Sequence, residues 1–210
     1  MYNPPHFRED RVEILHDLIR RHSLTTVVTL TADGLNADHL PMILDPVPAR
    51  RGTLRGHVAR TNPLWRDFRT EIHALAIFQG LATYVTPSWY PSKRETGKVV
   101  PTYNYAVVHA HGPLKVVEDP DLLEMHVRAL TAQHEAPFAV PWNVNDAPAD
   151  FIRAMLNGIV GIEIPIARLE GKWKMSQNRA PADRKGVIEA LRQRGDQVSG
   201  VIADEIEGRL

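Results

Sequence analysis

The sequence predicts a mainly β fold with added helices: six to eight short antiparallel strands forming a closed or partly open barrel, with helices at its periphery. Three observations predict it. Runs of β-branched residues such as Leu24–Thr31 recur between turn residues. Helical periodicity is concentrated at the start and in the second half of the chain. Strands do not alternate regularly with long helices, which disfavours a doubly wound sheet.

The first periodic segment, Arg11 to His22, carries Val12, Leu15, Leu18 and Ile19 on one helical face, and Asp10 with Glu13 has the spacing of a capping box. Leu24–Thr31 and about Ala37–Leu44 then read as a hairpin turned at Ala32-Asp33-Gly34. Pro46–Gly52 is a loop, and Thr53–Ala59 is a third strand. Asn62-Pro63 fits an N-cap followed by proline at the first helical position, so a short helix through Trp65 and Phe68 is expected. Two strands, His73–Gln79 and Ala82–Thr86, precede a proline-rich stretch without periodicity, Pro87–Tyr103. Strand character returns over Asn104–Val117, with a bend at Gly112-Pro113. A helix from Asp119 to about His134 turns Leu123, Val127 and Leu130 inward, and a second spans about Ala149–Asn157. Ile159–Ile166 and Ala167–Met175 read as strands. The chain, residues 1–210, is expected to be one domain with a helical extension at about 181–210, broken at Gly195.

Composition removes several classes of function. The 25 Lys and Arg balance 25 Asp and Glu, so charge gives no general case for wrapping DNA or coating a membrane. Absence of cysteine excludes disulfides, thiolate zinc sites, iron–sulfur clusters and a cysteine nucleophile. No Rossmann glycine fingerprint, phosphate loop, nucleophile elbow or His-Glu-x-x-His helix occurs. The N-terminus lacks the basic and apolar regions of a secretion signal, and no apolar run approaches a membrane span, which predicts a cytoplasmic protein with no membrane partner.

Four segments are dense in groups that recognise ligands. Gly56–Trp65 carries His57, Arg60, Thr61 and Asn62 at a strand end and a helix start, which suits an anion or an ordinary N-cap beside a solvated arginine. Thr86–Lys93 offers Trp89 and Tyr90 as flat surfaces, with Ser88 and Lys93 able to meet a phosphate; equally, its aromatics could simply pin a loop. Val100–Tyr105, with Thr102, Tyr103 and Asn104, leads to His109 and His111, which share a strand face. That pair suits a metal or haem, or two half-exposed strand histidines. Lys172–Arg179 ends in donors including Gln177 and Arg179. Together the four favour a phosphorylated planar ligand. None of these residues has a spacing that demands an acid or base role, so no catalytic residue and no metal site are assigned.

The opening Met-Tyr-x-Pro-x-x-Phe and the segments Gly56–Trp65, Ser88–Lys93, Val100–Tyr105 and Ser176–Arg179 resemble the PaiB family, known as FMN-binding negative transcriptional regulators, from Met1 to about Arg194. The resemblance implies a split β-barrel similar to the pyridoxamine-phosphate oxidase flavoproteins, with FMN in a groove between two subunits of a homodimer. Trp65, Phe68, Trp89 and Tyr90 would contribute to that interface. It further implies phosphate contacts near Arg60, Thr61 and Asn62, and others near Ser88, Lys93 and Ser176–Arg179. Family members usually carry tryptophan where this chain has Tyr103, which keeps a stacking ring but loses the indole N–H. Haem binding is the alternative cofactor reading, resting on His109 and His111. DNA binding, the role the family name suggests, has little charge support: the tail from Pro181 holds five Lys and Arg against six Asp and Glu.

Overall fold

The computed structural model describes residues 1–47 and 51–209; the middle of the expected Pro46–Gly52 loop, 48–50, lies outside the described residues. In chain order the elements are β1 (Arg8–Glu9), α1 (Val12–Arg21), β2 (Leu24–Thr31), β3 (Gly34–Pro41), β4 (Ile43–Asp45), β5 (Thr53–Ala59), β6 (Ala74–Val85), α2 (Ser92–Thr96), β7 (Thr102–Gly112), β8 (Lys115–Val117), α3 (Pro120–Glu135), α4 (Ala149–Asn157), β9 (Ile159–Pro165), β10 (Arg168–Lys174), α5 (Pro181–Arg194) and α6 (Gln197–Glu207). Ten strands among the described residues exceed the six to eight expected because β1, β4 and β8 are only two or three residues long. Such short segments are too brief to show a period.

The chain divides into two compact units. One comprises Met1–Leu15, Gln79–Val108 and Glu170–Leu210. Here β1 pairs antiparallel with β10, Arg8 opposite Lys172 and Glu9 opposite Gly171. A Cβ at Gly171 would stand 2.2 Å from Leu15 Cδ2 and 2.8 Å from Glu9 O, so only glycine admits β1 and α1 at this distance. Helices α5 and α6 pack through Val187, Leu191, Ile202 and Ile206, all buried. Gly195 joins them at φ 71°, the left-handed C-cap that favours glycine.

The other unit comprises His16–Phe78 and His109–Leu169. Its hairpin runs in register from Leu24 opposite Pro41 to Thr31 opposite Gly34, and Thr26–Val28 of β2 pair with Leu75–Ile77 of β6. A four-stranded antiparallel sheet in the order β4-β5-β9-β8 is centred on β5 and β9, paired from Thr53–Pro165 to Ala59–Ile159. Leu54, Val58, Val160, Ile162 and Ile164 are buried there.

Several expectations change in detail. The helix expected through Trp65 and Phe68 is a single 3-10 turn, Pro63–Trp65, although Asn62 caps it as expected, its side chain accepting from Leu64 N–H. The Asp10–Glu13 capping box does not form: α1 starts one residue later, and Arg11 N–H goes to Glu9 Oε1 at 3.2 Å. The two strands expected on either side of Gly80 are one strand, β6, whose buried residues change phase from Ala74, Ala76 and Phe78 to Thr83 and Val85. A change of face within a strand breaks period two just as a turn does. The proline-rich stretch contains a 3-10 turn, Pro87–Trp89, and α2.

Candidate functional site

Three of the four ligand-directed segments converge in the first unit. Thr86 caps the turn Pro87–Trp89 by accepting from Ser88 N–H, and exposed Lys93 at the start of α2 donates Nζ to Ser88 Oγ at 3.0 Å. Ser92 fixes α2 to α5, since its N–H and hydroxyl both donate to the buried carboxylate of Asp183, at 3.1 and 2.7 Å. Gly186 lets α5 approach this loop: a Cβ there would lie 2.2 Å from Trp89 O. Between these anchors Tyr90 is buried, its hydroxyl without a hydrogen-bond partner among the described residues and the Arg179 guanidinium 4.9 Å above its ring. Burial raises the Tyr90 phenol above its ordinary pKa. Arg179 also donates to Val100 O at 3.4 Å, which brings the end of β10 to the approach of β7.

The β7 segment is held from the same side. Lys174 Nζ donates to Thr102 Oγ1, and burial keeps the Lys174 ammonium below its usual pKa. Asn104 is wholly buried and exchanges hydrogen bonds with Ser176, which sits at φ 62°. Gln177 closes the turn after β10: its Oε1 accepts from Met175 N–H and its Nε2 donates to Trp173 O, both at 2.6 Å. The Tyr103 ring is 57% exposed and meets the half-exposed Tyr84 ring edge-on at 5.6 Å. Ser88, Trp89, Lys93, Thr102, Tyr103, Asn104, Gln177 and Arg179 thus share one unit. Tyr84 is overlooked in sequence, whereas Lys174 and Ser176 lie within the donor-rich segment Lys172–Arg179 without being singled out there. Tyr84 stood at an outward strand position, and Ser176 is singled out only by its backbone.

His57, Arg60, Thr61 and Asn62 fall in the other unit. The Arg60 guanidinium donates to Asn157 O (2.9 Å), Ile159 O (3.1 Å) and Glu118 Oε1 (2.9 Å), tying α4 and β9 to the end of β5. Asn62 donates to Asp38 at 2.9 Å while capping, and Thr61 is exposed. His57 Nδ1 lies 3.1 Å from Nε2 of His126 on α3. Burial lowers both imidazoles, His126 to about 4. His126 was overlooked because the expected inner face was Leu123, Val127 and Leu130, whereas Leu123 and His126 are the buried pair, at a spacing of three. His109 and His111 have ring centroids 6.3 Å apart, as two positions on one strand face require.

The first unit's groups fit a phosphorylated planar ligand. Lys93 and Arg179 are cations suited to a phosphate, Ser88 adds a hydroxyl, and the exposed tyrosine rings offer stacking faces.

With that chemistry in view, the chain belongs to the FMN-binding family whose model, described as "Putative FMN-binding domain", matches residues 1–168. FMN is the cofactor that this membership assigns. Protease synthase and sporulation protein PAI 2 of Bacillus subtilis is 30% identical over 100% of this chain and 98% of its own length. The uncharacterized protein AN0679 of Emericella nidulans is 33% identical over 96% of this chain and 94% of its own. Among solved structures, the FAD and haem binding protein of Mycobacterium smegmatis superposes with TM-score 0.58 at 18% identity, covering 80% of this chain and 73% of that one. The last likeness supports the fold alone, a mainly antiparallel split barrel with added helices. No helix among the described residues is long and apolar enough to cross a membrane.

Proposed function

We propose that this chain is a redox-linked FMN flavoprotein, an FMN-dependent oxidoreductase that works as a homodimer and holds the FMN phosphate with Lys93 and Arg179. The observation carrying this reading is that Ser88–Lys93, Val100–Asn104 and Gln177–Arg179, far apart in sequence, are cross-linked by Arg179 and Lys174 in one unit.

In it, Lys93 and Arg179 neutralise the phosphate dianion, and Ser88 and Thr102 donate to its oxygens. Tyr103, with Tyr84 bracing it, presents a ring face, and Trp89 borders the phosphate loop. Gln177 and Asn104 hold the strand exit that aims Arg179. FMN, when bound, supplies the electron and hydride chemistry, and the protein's part is to orient it and exclude water. Regulation of transcription is secondary to the flavin. Arg192 pairs with Glu207 and Asp204, Arg194 with Asp196 and Arg209 with Glu205, so three of the tail's five cations are already engaged by carboxylates.

The test is an FMN titration of the purified protein, followed by flavin absorbance and fluorescence, with Lys93→Ala and Arg179→Ala alongside. Saturable binding weakened by each variant by about 1.5–3 kcal/mol is expected, the scale of a charged hydrogen bond. A protein that retains no FMN overturns the reading, and a Soret band on haem titration would then assign haem instead. Light scattering should return twice the 23.6 kDa of one chain, and a monomeric mass would contradict the dimer.

A further inference from the structure

The second unit holds a cleft of about 310 Å³ between α3 and the sheet β4-β5-β9-β8, containing none of the residues given to FMN. Its volume falls within the range of small-ligand pockets. Leu123 and Ile162 are buried at its floor, while Leu122 and Met125 stand half-exposed or more at its mouth. Glycine at 161 lets α3 lie this close to β9, since a Cβ there would meet Leu123 Cδ2 at 2.9 Å.

Its charged lining is Asp45, Arg55 and Glu163. Arg55 is committed to both carboxylates, with Nε donating to Glu163 Oε1 at 2.7 Å and Nη1 to Asp45. Two carboxylates against one guanidinium leave the lining one negative charge in excess. Asp45 Oδ1 accepts from Val47 N–H at 3.2 Å. Glu163 Oε2 accepts no hydrogen bond from the described residues. His126, 7% exposed, also lines the cleft, and its Nδ1 is buried without a hydrogen-bond partner among the described residues. Of the two tautomers that the 3.1 Å contact allows, the one with His126 Nε2–H donating to His57 Nδ1 leaves the Nδ1 of His126 an acceptor. The cleft thus offers to a positively charged donor a part-exposed carboxylate oxygen and, in that tautomer, an imidazole acceptor.

We propose that this cleft binds a small organic cation, a primary ammonium on a short apolar body. The ammonium donates to Glu163 and His126, and the apolar body lies against Leu122, Leu123, Met125 and Ile162. An organic anion of the same shape meets the surplus carboxylate and is rejected.

Calorimetric titration of the full-length protein with 2-phenylethylamine, 3-phenylpropanoate and 2-phenylethanol tests this, since the three share a body and differ in the head. The amine is expected to bind saturably and about tenfold or more tighter than the other two, the scale of one charge-assisted hydrogen bond. Glu163→Gln should weaken it by a similar factor. Ala129→Trp, at an exposed position on the rim, should block it without touching the core. Equal binding of all three probes, no binding of the amine, or full affinity in Ala129→Trp would each overturn the proposal.

Discussion

Asn104 and Ser176, 72 positions apart, are locked together in the interior: Asn104 Nδ2 donates to Ser176 Oγ at 3.0 Å, and the serine hydroxyl donates back to Asn104 Oδ1 at 3.2 Å. Ser176 is also the non-glycine residue with a left-handed backbone among the described residues, at φ 62°. A left-handed serine costs about 1–2 kcal/mol, which the reciprocal hydrogen bonds offset. The strand exit carrying Gln177 and Arg179 is therefore aimed by a pair that neither segment can form alone.

Asn104→Ala should destabilise the protein by about 1–3 kcal/mol, because it strands a buried hydroxyl. Ser176→Gly should be milder than Ser176→Ala by about 1 kcal/mol, since glycine gives up the bond but relieves the backbone. Urea denaturation of the three variants checks the ranking, and Ser176→Ala as stable as Ser176→Gly would remove strain from the account.

Gly186 reports on the loop above α5. Gly186→Ala would bring a methyl 2.2 Å from Trp89 O, so the turn Pro87–Trp89 must shift. On the FMN assignment proposed here, the expected outcome is weaker FMN retention with modest loss of stability, seen by dialysis of the loaded protein. Undiminished retention would detach that turn from the cofactor.

The His57–His126 pair sets a pH dependence. Desolvation holds His126 at about 4 against the ordinary 6.5, and lowers His57 as well. The unfolded chain thus binds protons that the folded one refuses, so stability is full above about pH 6.5 and falls as pH drops toward 4. Denaturation midpoints at pH 7, 5.5 and 4.5 should decline along this series, and His126→Leu should flatten the decline. A slope unchanged in that variant would place it in the carboxylates.

Arg60 separates structure from ligand binding. With its guanidinium on two carbonyls and Glu118, Arg60→Ala should cost about 1–2 kcal/mol of stability. Its FMN affinity should stay within about twofold of wild type, unlike that of Lys93→Ala or Arg179→Ala. A large loss of FMN binding in Arg60→Ala, without destabilisation, would return the phosphate to the end of β5.

Elements with their own period were legible in the sequence: α1, the hairpin β2–β3, α3 and the break at Gly195 all announce themselves through spacing, turn residues or a glycine C-cap. The residue types of the four ligand-directed segments were legible too, since cations, hydroxyls and rings can be read one by one. Which of them share a surface was not. Gly56–Trp65 and Ser88–Lys93 look equally suited to phosphate in sequence, yet one arginine is consumed by main-chain carbonyls of α4 and β9 while Lys93 stays exposed beside a serine. His126 reads as one more helix residue until β5 brings His57 within 3.1 Å.

Local chemistry depends on neighbours in the chain, and the sequence by itself determined that much: strand-rich architecture, absence of thiol chemistry and the stock of ligand-binding groups. Partnership depends on long-range packing, which sets the burial, orientation and hydrogen bonding of each group. Only the tertiary structure decided that Asn104 meets Ser176, that Arg55 is shared by two carboxylates, and that Tyr90 lies buried under Arg179.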